Sequence, residues 1–178
     1  MSKEIERKFL VVGHEWRHGA ASRRIRQGYL SLDEHRSVRV RQSGDRGWLT
    51  VKGALEGRSR VEFEYPIPLA DARQLLDILC LEPIIEKTRF LVHHAGRAWE
   101  IDVFEGANEG LVLAEIELEH ADAAFESPPW LGPEVTDDPR YYNASLVTHP
   151  YQAWPDRQAQ ASSRESPPPG TSAGADPA

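Results

Sequence analysis

Apolar and polar side chains alternate along most of the chain before residue 120, and this pattern predicts β-strands. Successive side chains of a strand point to opposite faces, so a period of two gives one apolar and one polar face. Residues 37–42 show the pattern most strictly, with Val38 and Val40 on one face and Arg39 and Arg41 on the other. The pattern predicts strands over residues 4–8, 23–32, 37–42, 48–53, 58–67, 84–93, 98–104 and 111–119.

Between the fifth and sixth predicted strands lies a stretch with the period of an amphipathic helix. Apolar residues recur there every three or four positions, which predicts a helix over residues 69–81 with one apolar face. Shorter helices are predicted over residues 121–125 and 141–147, with a loop over residues 127–139. The predicted fold class is therefore mainly β with flanking helices (α+β).

Charged side chains on the polar faces come as like-charged pairs two residues apart. Like charges at that spacing repel, so a surface shaped by stability would avoid them. The pairs therefore favour a sheet that closes with its charged faces inward over a sheet that turns those faces to water. They are Glu4/Glu6, Arg24/Arg26, Arg39/Arg41, Glu62/Glu64, Lys87/Arg89, Glu100/Asp102 and Glu115/Glu117.

The chemistry of these pairs indicates phosphoryl transfer. Paired carboxylates without His or Cys are hard oxygen ligands, which suit Mg²⁺ or Mn²⁺ rather than zinc. Clustered Arg and Lys suit a polyanion, because Arg contacts phosphate oxygens through two donors. A divalent metal beside such a cluster can neutralise developing charge and activate water. The sequence contains neither a Walker-type glycine loop nor a G-x-S-x-G motif.

Composition narrows the class of protein further. A length of 178 residues fits one domain, predicted over residues 1–154, followed by a tail over residues 155–178. The tail contains no Ile, Leu, Val, Met or aromatic residue, so it is predicted to be disordered. The net charge of −7 argues against a nucleic-acid partner. The lone Cys80, and the lack of a signal peptide or membrane span, predict a cytoplasmic protein without a membrane partner, either monomer or homodimer.

The opening motif resembles the signature of a known family. Residues 4–8 read Glu-Ile-Glu-Arg-Lys, which matches the ExExK signature of the CYTH superfamily, the triphosphate tunnel metalloenzymes. ExExK by itself is short, but it is followed in the family's order by further matching segments, so that the resemblance covers residues 1 to about 150. These segments are QGYL at 27–30, RVR at 39–41, LTVK at 49–52, EFE at 62–64, EKTR at 86–89, EIE at 115–117 and EVTDDPRYYN at 134–143.

The resemblance implies a fold, an activity and a set of site residues. The implied fold is a closed eight-stranded antiparallel β-barrel with a charged tunnel, and the chain is most similar to compact bacterial members, which are inorganic tripolyphosphatases. Carried over by position, Glu4, Glu6, Glu115 and Glu117 are metal ligands, and Glu62 and Glu64 are further ligands or bind water. Lys8, Arg39, Arg41, Lys52, Lys87 and Arg89 bind phosphate, Asp102 orients the attacking water, and Arg140 closes a tunnel mouth or forms a structural salt bridge.

Other activities on the same scaffold remain open from the sequence. A class IV-type adenylate cyclase and a thiamine triphosphatase are the enzyme alternatives, and a module that binds polyphosphate or nucleotide without turnover is the non-enzymatic one. On the charged faces of the middle predicted strands, Trp48 and Phe104 are the only aromatic residues, and both lie at strand ends. Because a nucleotide base needs a stacking surface, this shortage favours inorganic tripolyphosphate as the substrate.

Overall fold

The described residues contain nine β-strands, two α-helices and four short 3₁₀-helices. The computed structural model describes residues 5–33, 36–56, 59–120 and 123–155. Glu4 and the predicted tail beyond residue 155 lie outside these ranges. The strands are β1 (Ile5–Val11), β2 (Ala21–Leu32), β3 (Ser37–Ser43), β4 (Arg46–Glu56), β5 (Ser59–Ile67), β6 (Ile85–His94), β7 (Arg97–Phe104), β8 (Val112–Leu118) and β9 (Leu131–Glu134); the helices are α1 (Leu69–Ile78) and α2 (Asn143–Thr148).

The strands form one antiparallel sheet in the order β5-β4-β3-β2-β6-β7-β8-β1-β9. The predicted class, mainly β with flanking helices, is confirmed. The sheet wraps around a cavity as a tunnel-like barrel, but within the described residues no hydrogen-bonded pairing joins its edges, β5 and β9. The ninth strand was predicted as loop. It pairs with β1 at Phe9 and Val11, and Gly132 allows this approach because a Cβ there would lie 2.8 Å from the Leu10 carbonyl oxygen.

On β1, β3, β7 and β8 the apolar faces point away from the cavity, as the alternation predicts. On β1, β7 and β8 these faces form a core that includes Phe9, Trp99 and Ile116, and Trp16 and Trp130 cover it from neighbouring segments. Helix α1 covers β3 and β4 in a second core that includes Val40, Ala72 and Leu76. Burial of these side chains provides the main drive to fold the sheet with its charged faces inward.

The C-terminal segment packs into one end of the barrel. Its Tyr141, Leu146, Tyr151 and Trp154 form a third core with side chains from the inner faces of the strands, among them Phe104. Rings stack edge to face there, with centroids 5.1 Å apart in both the Tyr141–Trp154 and the Tyr151–Trp154 pair. This apolar plug leaves the charged side chains to line the rest of the interior. None of the described helices is long and apolar enough to cross a membrane.

Candidate active site

A cavity of about 800 Å³ occupies the interior of the sheet. Strands β1 to β8 each contribute at least one lining side chain, and the segment at the start of α2 contributes three. Polar and charged groups dominate the wall. The lining residues are Glu6, Lys8, Ile25, Gln27, Tyr29, Ser37, Arg39, Arg41, Lys52, Glu62, Glu64, Lys87, Arg89, Glu100, Glu115, Glu117, Tyr142, Asn143 and Ala144.

One wall of the cavity carries the cations of β3 opposite the carboxylates of β5. Arg39 donates to Glu64 at 3.3 Å and to the Thr50 hydroxyl at 3.1 Å, and Arg41 donates to Glu64 at 3.2 Å. Further along, Lys52 forms an ion pair with Glu62 at 2.7 Å. The two carboxylates that the family resemblance assigned to metal or water therefore bind cations here, and they hold the Arg and Lys side chains against the wall.

The surroundings of Arg41 disfavour its charged form. Burial and the nearby positive charge of Arg39 lower its pKa from the ordinary value, Arg89 and Arg23 add to this, and Glu64 opposes it. Burial is the largest of these causes, and repulsion from the neighbouring arginines adds to it. An anion bound there would relieve the repulsion, which is the property expected of a polyphosphate site.

Lys8 lies between two carboxylates of the opposite wall. Its ammonium group donates to Glu6, on the same strand, and to Glu115 of β8. Burial lowers the pKa of Lys8, but the charges of Glu115 and Glu6 outweigh it and raise the pKa above its ordinary value. With both carboxylates beside it, Lys8 is therefore protonated and contributes a positive charge to this wall.

Asp102 is the buried centre of a cluster with two cations. Its side chain has no exposed surface, and its oxygens accept from Lys87 and, at 2.7 Å each, from Nε and a terminal nitrogen of Arg89. Burial raises the pKa of Asp102, but the charges of Lys87 and Arg89 lower it to about 2. Asp102 does not line the cavity, whereas Lys87 and Arg89 do. This placement suits a group that positions the two cations better than one that contacts water.

Carboxylates also face one another directly across strands. Glu6 of β1 stands opposite Glu117 of β8, and Glu115 stands opposite Glu100 of β7, with all four on the cavity wall. Like charges directly opposite destabilise a sheet unless a cation lies near them. Oxygen donors so arranged fit Mg²⁺ or Mn²⁺. Among the described residues, which exclude Glu4, no three acidic, His or Cys side chains already form a metal-binding group.

Two arginines of β2, which were predicted to face the interior of the sheet, lie on its outer side. Arg24 and Arg26 do not line the cavity, and their partners lie on the outer side of β2: Arg24 donates to Glu105 at 3.2 Å, and Arg26 donates to Asp77 at 2.7 Å. The cavity face of β2 carries Ile25, Gln27 and Tyr29 instead. The inward prediction for this arginine pair was wrong because both faces of β2 hold polar groups, and partners distant in sequence attract the arginines outward.

Arg140 is not one of the described residues that line the cavity. Its guanidinium lies 2.7 Å from Asp138 and 5.0 Å from the centroid of the Trp154 ring, at the outer side of the apolar plug. Of the two roles considered for Arg140, the structural salt bridge is the one for which the structure supplies a partner.

Several lining residues were not predicted from the sequence. A correct choice of the inward face of β2 would have found Gln27 and Tyr29, because they share the parity of the buried Ile25. Tyr142 and Asn143 reach the wall from the start of α2, which no strand pattern could indicate. Glu100 was noted as half of a charged pair but not as a site residue.

The aromatic residues of the interior also differ from expectation. Phe104 belongs to the apolar plug, and the guanidinium of Arg41 lies 5.3 Å from the centroid of the Trp48 ring. Tyr29 and Tyr142 are the aromatic residues that line the cavity within the described part of the chain. The wall therefore contains two phenol rings beside its cations, more aromatic surface than the sequence indicated.

These observations define a class, a β-tunnel whose interior carries cations suited to a polyanion and carboxylates suited to a metal ion. Comparison with known proteins gives the family. The sequence profile of the CYTH domain matches residues 2–151, so the chain belongs to the CYTH family.

Two relatives and one solved structure extend this result. An inorganic triphosphatase of Acetivibrio thermocellus is 51% identical over 152 residues, covering 85% of this chain and 97% of that protein. One of Nitrosomonas europaea is 39% identical over 148 residues, covering 81% and 96% respectively. The crystal structure of the inorganic triphosphatase NE1496 superposes with a TM-score of 0.66 at 36% identity, covering 83% of this chain and 95% of that one.

Proposed function

We propose that this protein is a metal-dependent inorganic triphosphatase that hydrolyses tripolyphosphate to pyrophosphate and phosphate inside the cavity. The observation that carries the proposal is the lining of the cavity, where six cationic side chains share one space with carboxylates opposed across strands. Support also comes from the two relatives described as inorganic triphosphatases, each matched over nearly its whole length.

The six cations would bind the phosphoryl oxygens of the substrate. Lys8, Arg39, Arg41, Lys52, Lys87 and Arg89 come from β1, β3, β4 and β6, so that they surround the cavity rather than form one patch. Their carboxylate partners hold them in position before substrate enters, which reduces the entropy cost of binding. Positioned charge that is already in place is the form of catalysis that phosphoryl transfer requires most.

Glu6, Glu115 and Glu117, together with Glu4, would hold Mg²⁺ or Mn²⁺. When bound, such an ion lowers the pKa of a coordinated water and neutralises charge on the phosphate chain. Lys8 adjoins these carboxylates and remains protonated, so we assign it to the stabilisation of negative charge that develops on the attacked phosphoryl group. Asp102 would act by holding Lys87 and Arg89 at the positions from which they contact substrate.

A substrate panel tests the proposal. Purified full-length protein is assayed with tripolyphosphate, ATP, thiamine triphosphate and pyrophosphate, each with Mg²⁺, Mn²⁺ and EDTA, and products are separated by ion-exchange chromatography. The proposal expects tripolyphosphate to have the highest kcat/KM and activity to be lost in EDTA. Glu6→Gln, purified in parallel, controls for contaminating phosphatases. A higher kcat/KM for ATP with cyclic AMP as product would favour the adenylate cyclase alternative. Thiamine triphosphate as the best substrate would favour the thiamine triphosphatase alternative. The cytoplasmic location and the oligomeric state stay predictions.

A further inference from the structure

Gln27 lies in the middle of β2 with its side chain in the wall of the cavity. The residue is 2% exposed, and its amide nitrogen Nε2 finds no hydrogen-bond acceptor among the described residues. Buried polar groups in native proteins nearly always have a partner, and one without a partner costs stability. A buried donor that faces a binding cavity therefore indicates a ligand group that accepts its hydrogen bond.

The neighbours of Gln27 have the same property. The register of β2 and β3 sets Gln27 directly opposite Arg41. The Nε atoms of Arg41 and Arg39 are likewise buried and without an acceptor among the described residues, although both guanidinium groups also donate to Glu64. Three unsatisfied N–H donors therefore lie on two adjacent strands in one wall. A group with several acceptor oxygens, such as a phosphoryl group, would satisfy them together.

We propose that Gln27 is a substrate-binding residue whose Nε2 donates to a phosphoryl oxygen held by Arg39 and Arg41. The proposal rests on the proposed function and adds to it a residue selected by neither charge nor the ExExK motif. A neutral amide offers a donor without adding a further cation beside two arginines that already repel each other. Since a hydrogen bond acts only at contact distance, Gln27 contributes to the positioning of the phosphate chain and not to its long-range attraction.

The variant Gln27→Leu tests this role because it removes the donor and keeps most of the volume. Loss of one hydrogen bond to a charged group is expected to raise KM for tripolyphosphate about tenfold, with kcat little changed. Loss of a buried donor that lacks a partner is expected to leave the melting temperature of the protein without substrate unchanged or higher. A residue with a merely structural role would not combine weaker substrate binding with equal or greater stability.

A second variant distinguishes donation to substrate from acceptance from the arginines. Gln27→Glu keeps the shape of the side chain but replaces the donor by a negative charge. If Gln27 donates to a phosphoryl oxygen, KM is expected to rise more than tenfold, because the carboxylate repels the substrate. If its carbonyl instead served the arginines, the Glu variant would keep a near wild-type KM and gain stability, and the proposal would be overturned.

Gln42→Leu is the matched control, since Gln42 lies on β3 with the opposite parity to Arg41 and does not line the cavity. It is expected to keep the wild-type KM. Binding of tripolyphosphate in EDTA, measured by calorimetry, accompanies the activity assay. If the wild type is active and Gln27→Leu has the same KM and the same affinity for tripolyphosphate, the role of Gln27 is overturned and the proposed function is not. If the wild type binds tripolyphosphate without cleaving it, the proposed function is overturned. If Gln27→Leu then binds tripolyphosphate more weakly than the wild type, the role of Gln27 in binding phosphate is still supported.

Discussion

Replacement of Asp102 by Asn perturbs the most deeply buried charge of the described site. The substitution preserves the size and shape of the side chain and removes its negative charge. Asp102 is fully buried, and its partners Lys87 and Arg89 are 2% and 12% exposed. Asp102→Asn therefore leaves the buried Lys87 without the carboxylate that it contacts, whereas Arg89 keeps Glu100 and Glu115 as partners. We expect a large loss of stability that can be measured in protein without substrate.

The size of the loss can be estimated in two ways. Removal of one partner from a buried ion pair costs about 3–5 kcal/mol, because the other charge remains buried without compensation. The pKa of Asp102, lowered to about 2 from an ordinary value of 3.8, corresponds to about 2–3 kcal/mol of extra stability from its ionised form. The first estimate includes the cost of leaving Lys87 buried without its carboxylate and the second does not, so we expect a loss of about 3–5 kcal/mol at pH 7.

The pH dependence of the loss identifies its electrostatic origin. The pKa of Asp102 is lower in the folded than in the unfolded protein, so its contribution is fully present above about pH 4 and falls as the pH approaches about 2. Asparagine does not titrate. The difference in stability between wild type and Asp102→Asn should therefore be constant from pH 7 to pH 5 and shrink from about pH 4 towards pH 2.

Urea unfolding followed by tryptophan fluorescence at several pH values measures this difference. Asp77→Asn is the control, since Asp77 forms an Arg–Asp pair of 2.7 Å with Arg26 but is more than half exposed. That variant should lose no more than about 1 kcal/mol, as surface ion pairs do. If Asp102→Asn is as stable as the control at pH 7, or if its deficit does not change down to pH 2, the interpretation of Asp102 as the counter-charge of Lys87 and Arg89 is wrong.

Three further predictions concern the metal, the substrate and the plug. Glu6→Gln should lose most turnover of tripolyphosphate while keeping the wild-type circular dichroism spectrum, and full wild-type activity in EDTA would contradict the metal role. Arg41→Ala should lower kcat/KM about ten- to a hundredfold without lowering the melting temperature, because it relieves cationic repulsion; an unchanged kcat/KM would contradict it. Asn108→Ala should cost about 1–3 kcal/mol in urea unfolding, because buried Asn108 bonds Leu146 and Tyr151; an unchanged free energy of unfolding would contradict the plug's dependence on it.

The period of two predicted most of the fold because most strands have one clearly apolar face. On β1, β7 and β8 the apolar residues pack into a single core, which forces the charged residues inward. Prediction failed on β2, where Arg24 and Arg26 find Glu86, Glu105 and Asp77 as outer partners. Those partners come from β6, the end of β7 and α1. Parity gives two faces to a strand, but the partners that decide which one turns inward are distant in sequence.

The sequence predicted which charged residue types line the site, and the structure adds the partner of each. The family resemblance assigned Glu62 and Glu64 to metal or to water, and in the structure both form ion pairs with cations of β3 and β4. Asp102 is likewise an acidic residue of inward parity, but the depth at which it lies makes it a partner for Lys87 and Arg89. Depth along the barrel axis depends on where the C-terminal plug ends, and no local pattern in the sequence encodes that position.

The pairing of opposite charges in the cavity has a consequence for the order of binding. Lys8 donates to Glu6 and Glu115, and these carboxylates are also proposed metal ligands, so the ammonium group and a metal ion compete for the same oxygens. If a metal ion took those oxygens, Lys8 would need a new acceptor, and a phosphoryl oxygen in the cavity would supply it. Metal and substrate should therefore bind with positive coupling, since each removes a cost of binding the other. Lys8 would then connect the carboxylates proposed for the metal with the cations proposed for phosphate.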